Sequence, residues 1–226
     1  MNRRLENKVA LVIGAARGIG REIAVCFAEA GAKLVIADMD VDAGEASARP
    51  LGADFIRTDI SSLPEAEAAV ALALSCHGRL DVLVQNAGIS PGNSSRTPAR
   101  MTGPGHGCQL ARQLCCRPRG AARHEGARLR QAALYLLDQR PACQQPGHGH
   151  YSASKAGIIG FIRAAALEFS GYGITVNGVE PGNIMTESML SQRFPAFIKS
   201  MESPIPLGRL GSERDVGNAI SVSGIR

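Results

Sequence analysis

No apolar run in this 226-residue chain approaches the length of a membrane span, although 45% of its residues are hydrophobic. Membrane-spanning functions are thereby excluded from the expectation. Arg3 and Arg4 precede only a short apolar run that leads into a glycine loop, so the N-terminus reads as a first strand and not as a secretory signal. The expected compartment is the cytoplasm, where thiols stay reduced. Cysteine pairs at metal-binding spacing are missing too. Four of the six cysteines (Cys108, Cys115, Cys116 and Cys143) fall within residues 103–146, and with His106 and His124 they form no C-x-x-C site, so no metal is expected. That stretch holds seven Arg, no Lys, two acids (Glu125 and Asp138) and a single aromatic, Tyr135. It accounts for the whole net charge of +5, because 25 less 7, or 18, basic and 20 less 2, or 18, acidic residues remain elsewhere. A nucleic-acid arm interleaves lysines and aromatics, so no nucleic-acid partner is expected. No internal repeat is visible.

What is present begins at Val9-Ala10-Leu11-Val12-Ile13, a short run rich in β-branched residues, followed by Gly14-Ala15-Ala16-Arg17-Gly18-Ile19-Gly20. Ile19, Ile23 and Phe27 recur at four-residue spacing, one buried stripe of a helix. A strand, a glycine loop and a helix in that order form a dinucleotide-binding turn. Glycine permits the tight turn and lets the backbone approach a pyrophosphate. The helix N-terminus offers unpaired N–H groups and partial positive charge to the same group. Gly14, Arg17, Gly18, Ile19 and Gly20 are therefore candidate cofactor contacts.

A second strand, Lys33-Leu34-Val35-Ile36-Ala37, ends in Asp38, eighteen residues after Gly20. An acid there accepts hydrogen bonds from the ribose hydroxyls of NAD and repels the 2′-phosphate of NADP. Arg17 is a possible phosphate partner inside the loop, so NAD is the expected cofactor and NADP stays open. Further along, strands at Asp54–Arg57, Val82–Gln85 and Ile174–Val179 alternate with helices at Val41–Ala48, Pro64–Cys76 and from about Ser152 to Ser170. Such alternation implies βαβ units, a parallel sheet covered on both faces, and a ligand crevice at the carboxyl ends of the strands. Cys26 and Cys76 fall on helices and are expected to be packing residues.

Tyr151-Ser152-Ala153-Ser154-Lys155, together with the glycine loop, resembles the short-chain dehydrogenase/reductase family. Asn86-Ala87-Gly88 resembles the family's turn after the fourth strand, and Asp59-Ile60 its adenine contact. Pro181-Gly182 with Ile184 and Thr186 resembles the segment that packs on the nicotinamide and holds its carboxamide. The matches cover residues 5–95 and 147–220. The resemblance implies a Rossmann-type doubly wound parallel sheet forming one domain over residues 1–226, with homotetramers or dimers as the usual assembly. It also implies hydride transfer between a nicotinamide and a small-molecule secondary alcohol or ketone, most like the 3-oxoacyl-acyl-carrier-protein reductases and the polyol or sugar dehydrogenases.

The chemistry follows from the residues. Tyr151 and Lys155 lie four apart on a predicted helix and so share a face. A free tyrosine, with a pKa of about 10, is a poor base at neutral pH. A nearby ammonium and an oxidised nicotinamide favour the phenolate. Tyr151 would then take the alcohol proton as hydride leaves, and Lys155 would bind the nicotinamide ribose as well.

The family's third catalytic group is a serine thirteen or fourteen residues before the tyrosine, where this chain has Asp138 and Leu137. No serine lies between Ser95 and Ser152, and no asparagine between Asn93 and Asn177. Residues 103–146 read as frame-shifted. Plausible codons for Gly103–Cys116, read one base on with wobble bases chosen to suit, can yield Ala-Arg-Val-Met-Ala-Val-Asn-Leu-Arg-Gly-Asn-Phe-Val-Ala, which resembles the family's asparagine-bearing helix. The same shift over Tyr135–Pro146 yields a serine at position 137, and over Val222–Arg226 it yields a family-like Phe-Leu-Ala-Ser-Asp. The expectation is an aberrant middle, a truncated tail, impaired assembly and weak or no turnover. The alternatives to an active oxidoreductase are a nucleotide-binding pseudoenzyme and a decayed gene product.

Overall fold

A computed structural model describes residues 3–88, 149–187, 189 and 195–222; the side chains of 149–155 lie outside that description. The segment 103–146 and residues 223–226, read as frame-shifted, also lie outside it.

Four strands form the main sheet: β1 (Val9–Ile13), β2 (Lys33–Asp38), β3 (Asp54–Arg57) and β4 (Val82–Gln85). Their order is β3-β2-β1-β4 and every pairing is parallel, with Leu11 opposite Val35 on one side and Leu83 on the other. All five residues of β1 and all four of β4 are buried, as expected of parallel strands covered on both faces.

Alternation along the strands divides the core in two. Ala10, Val12, Leu34, Ile36, Val82 and Val84 face one layer of helices; Val9, Leu11, Ile13, Val35, Ala37 and Leu83 face the other. The first face is covered by α1 (Gly18–Glu29), whose Ile23 and Phe27 are fully buried. Burying a side chain such as Phe27 contributes about 1.5–3 kcal/mol. The second face is covered by α3 (Leu63–His77) through Ala66, Ala69, Val70 and Ala73. Between them in sequence lies α2 (Val41–Ala48), capped by the Asp40 side chain, which accepts from the Ala43 N–H at 3.0 Å. Helices on both faces of a parallel sheet make this the doubly wound α/β domain that the alternation implied.

The later elements are α4 (Gly149–Ser170), β5 (Ile184–Met185), α5 (Pro195–Glu202), β6 (Gly211–Ser212) and α6 (Glu213–Val222). β5 and β6 pair in parallel as a separate ribbon. A reciprocal cap starts α6: the Ser212 hydroxyl accepts from the Asp215 N–H, and the Asp215 carboxylate accepts from the Ser212 N–H. α6 then packs on α1. Arg214 pairs with Glu22 and Glu29, and Gly217 lies so close to Cys26 that a Cβ would stand 2.5 Å from its sulfur. Burial pushes the Cys26 thiol up to about 11, so it is a neutral packing group at physiological pH. No helix among the described residues is long and apolar enough to cross a membrane.

Two expectations are corrected. Residues 174–179, read as a strand, are in no sheet. Extended, β-branched sequence becomes a strand only where its N–H and C=O groups meet a ladder partner, and the described sheet ends at β4. Ile174 and Val176 instead bury against Ala165 and Phe169 of α4. Cys76, read as a packing residue, is exposed. The buried stripe of α3 runs through 66, 69, 70 and 73; position 76 continues its spacing but lies in the last turn of the helix, past the last buried residue of the stripe.

Candidate functional site

β1 lies between β2 and β4: the chain winds outward from β1 through β2 to β3 and then crosses back to β4 on the other side of β1, so the crevice expected of such sheets opens at the carboxyl ends of β1 and β4. The glycine loop occupies that end. Gly14 has a φ of +80°, and a Cβ there would stand 2.5 Å from the backbone nitrogen of Ala87. At Gly20 a Cβ would overlap the carbonyl of Gly14 and stand 2.5 Å from the Asn86 amide nitrogen. Gly18 also has positive φ and opens α1. The three glycines thus allow the turn, the close passage of the Asn86-Ala87 backbone, and the seating of α1 against β1.

Side chains from three other elements hold the loop. Asn86 Nδ2 donates to the Gly14 carbonyl at 2.8 Å. Asp38, the last residue of β2, accepts from the Ala16 N–H at 2.9 Å and the Asp40 N–H at 3.1 Å, one on each carboxylate oxygen. Ser47 of α2 donates its hydroxyl to the Ala16 carbonyl at 2.7 Å. Each Asp38 oxygen retains a lone pair for a further donor. Arg17 caps α1 by position only, with no side-chain hydrogen bond to the helix, so no side-chain cap among the described residues takes the first-turn donors, and such donors suit an anion.

The remaining expected contacts are placed as follows. Asp59, beyond β3, accepts from the Ser61 N–H at 2.8 Å and donates its own N–H to Glu65. Ile60 packs at the edge of the second core face. The buried Thr58 donates its N–H to the Asp38 carbonyl at 2.8 Å, tying this loop to the end of β2. Pro181 is buried and Gly182 exposed. Ile184 joins Ala15, Val82 and Val84 in the first core cluster. Thr186 accepts from the Met189 N–H through both its carbonyl and its hydroxyl. Gly88 is exposed at the end of the Asn86 turn. Tyr151 and Lys155 stand on the first turns of α4, with side chains outside the description.

Three contributors were missed by sequence reasoning: Ser47, Thr58 and Glu213. Glu213 Oε1 lies 3.6 Å from where a Cβ of Gly18 would be, is buried, and has no hydrogen-bond partner among the described residues. Burial raises its pKa above the usual 4.5, the carboxylates of Glu187 and Glu22 add to this, and Arg21 opposes it. Its single helix-starting glutamate carries no sequence signal, because the contact joins opposite ends of the chain. A second unpartnered buried oxygen, Asn86 Oδ1, lies on the loop-holding amide itself. The Gly14–Gly20 cradle, the uncapped α1 and the free acceptor capacity of Asp38 all fit a dinucleotide.

Comparison with known proteins agrees with this geometry. Residues 14–222 match the family described as enoyl-(acyl carrier protein) reductase. The maize sex determination protein tasselseed-2 is 39% identical over 201 residues, which cover 84% of this chain but 59% of that protein, so the chain spans under two thirds of that relative. The 3-oxoacyl-acyl-carrier-protein reductase FabG of Staphylococcus aureus is 32% identical over 232 residues, covering 95% of this chain and 89% of FabG. A 7α-hydroxysteroid dehydrogenase solved with NADH and 7-oxo glycochenodeoxycholic acid superposes with a TM-score of 0.80 at 28% identity, covering 97% of this chain and 88% of that one.

Proposed function

The chain belongs to the short-chain dehydrogenase/reductase family, and on that premise we propose that its crevice holds NAD and serves hydride exchange with a secondary alcohol or ketone. The observation that carries this reading is the cradle at Gly14 and Gly20, which side chains would fill, with the Asp38 carboxylate at its rim. NAD, when bound, supplies the hydride acceptor for an alcohol and, reduced, the donor for a ketone.

The chain's own residues do the rest. The N-terminal donors of α1 bind the pyrophosphate, and Asp38 accepts from the ribose hydroxyls. Asp59 and Ile60 flank the adenine, while Asn86, Ala87 and Gly88 close the far wall. Pro181, Gly182, Ile184 and Thr186 bind the nicotinamide end. Tyr151 takes the hydroxyl proton of the alcohol or returns it to the ketone oxygen. Lys155, one turn along α4, favours the phenolate and binds the ribose. The substrate class resembles a 3-oxoacyl thioester or a small polyol. A cytoplasmic homo-oligomer, a tetramer in the family's pattern, belongs to the same proposal.

A second reading is favoured by one observation: Asp138 and Leu137 occupy the positions where the family has its serine, and no other serine lies between Ser95 and Ser152. Without a group to hydrogen-bond the substrate oxygen, the protein binds nucleotide with weak or no turnover. Residues 103–146 and 222–226 are, on this reading, frame-shifted, and resequencing the gene tests that directly.

The functional test is titration with NADH, followed by nicotinamide fluorescence, and then assay against a ketone panel. Saturable binding with turnover supports the enzyme, and Tyr151→Phe then loses about a hundredfold or more in rate while retaining NADH. Binding without turnover supports the pseudoenzyme. No binding overturns both.

A further inference from the structure

We infer that Asp40 is a second cofactor-specificity residue, which rejects NADP by holding Arg17 away from a 2′-phosphate. The inference rests on the nucleotide reading of the crevice and deepens it.

The sequence leaves two opposed signals in one loop: Asp38 disfavours a 2′-phosphate, and Arg17 is a cation able to take one. The structure resolves the opposition with a third residue. Arg17 Nη2 donates to Asp40 Oδ2 at 2.7 Å. Asp40 does not depend on Arg17 for its own place. Its other carboxylate oxygen caps α2 by accepting from the Ala43 N–H at 3.0 Å, and its N–H donates to Asp38 Oδ1 at 3.1 Å. Two backbone bonds therefore fix the carboxylate, and the flexible guanidinium comes to it. Ala16, next to Arg17, donates its N–H to the other oxygen of Asp38, so Arg17 flanks the rim where the ribose would lie.

Stability does not account for this pair. The Arg17 and Asp40 side chains are 66% and 45% exposed, and an ion pair in that setting contributes about 0–1 kcal/mol. A weak pair is still an effective competitor. A 2′-phosphate, already beside Asp38, must draw Arg17 off Asp40 to gain a cation. NAD, whose ribose hydroxyls need only acceptors, meets neither cost. Rejection of NADP is thus shared between Asp38, which faces the ribose, and Asp40, which occupies the one cation the loop offers.

The test uses the full chain and two probes, NADH and NADPH, titrated by nicotinamide fluorescence. Asp40→Asn is the informative variant. Asparagine caps a helix as well as aspartate does. Its amide nitrogen, placed where Oδ2 was, presents donors to the guanidinium and releases it. The expected result is about a threefold to fivefold gain in NADPH affinity, the equivalent of one exposed ion pair no longer broken on binding, with NADH changed less than about twofold. In Arg17→Gln/Asp40→Asn the gain disappears. Asp40→Ser, also a good cap, repeats the test if the asparagine variant folds poorly. An unchanged NADPH-to-NADH ratio in the capped variants overturns the inference while leaving the nucleotide reading intact. So does a gain that survives Arg17→Gln. Failure of the wild type and every variant to bind either nucleotide overturns the nucleotide reading and this inference together.

Discussion

Gly20 and Gly160 are both glycines inside helices, and they stand in opposite surroundings. Gly20 is wedged between the Gly14 carbonyl and the Asn86 amide at the end of β1. Gly160, in α4, is exposed, with no atom of the described residues within 4 Å of a Cβ. The regions around them differ alike. At the crevice, loop carbonyls and N–H groups are held by Asn86, Asp38 and Ser47, each from a different element. Along α4 and the turn after it, Leu167 is 80% and Tyr172 67% exposed, and Gly171 and Gly173 likewise face open space among the described residues. A glycine's presence in a helix therefore says little; what its missing side chain makes room for decides whether it serves a site.

The sharpest way to break this comparison is Gly20→Ala. The added methyl meets backbone, which cannot rotate away, so α1 must lift from β1. A loss of about 3 kcal/mol or more in urea unfolding is expected, together with loss of NADH binding. An alanine variant as stable as wild type would show that the seating of α1 is looser than the geometry states.

Gly160→Ala runs the other way. In an exposed helix interior, alanine is favoured over glycine by about 0.5–1 kcal/mol. Unfolding should therefore shift to higher urea by that amount, with NADH affinity unchanged. A destabilised Gly160→Ala would mean that this face of α4 is covered in solution, and light scattering on the same sample would show whether by a second copy of the chain.

The two regions also differed in how far they could be read from sequence. β1 to β4 and α1 to α3 were legible within a residue or so, because each writes its burial locally: Val9–Ile13 is continuous where both faces are covered, and Ile23 and Phe27 mark one stripe. The glycine loop and Asp38 were legible for the same reason, since a turn and a strand end are short-range features. The contacts that hold them were not. Asn86 to Gly14, Ser47 to Ala16 and Arg17 to Asp40 join residues 72, 31 and 23 apart, and no spacing rule announces them. Residues 174–179 failed in the converse way. Their composition is that of a strand, but pairing is a property of two segments, and the pattern of one cannot supply the other. Cys76 was misjudged because the spacing of the buried stripe reaches it, while the cover from the core stops one turn earlier, at Ala73.

The smallest expected effect sits where α6 meets the crevice and pits two electrostatic terms against each other. Glu213 opens α6, and an acid in a first turn gains about 0.3–1 kcal/mol from the helix dipole. Its carboxyl is nonetheless partly buried beside Gly18, with Glu187 and Glu22 near and Arg21 opposing them. Because the pKa is raised, burial and like charge prevail over the dipole. A raised folded-state pKa means that the neutral form is favoured on folding. The stabilisation is therefore complete below the ordinary value of 4.5 and is lost as pH rises through the raised value. Glutamine stays neutral throughout. Glu213→Gln should accordingly be the more stable protein at pH 7, by less than about 1 kcal/mol, with the difference closing toward pH 4. Thermal melts of the two proteins across that range check it. A glutamine variant less stable at pH 7 would show that the dipole outweighs burial, and that the crevice end of α6 is as open to water as the face of α4.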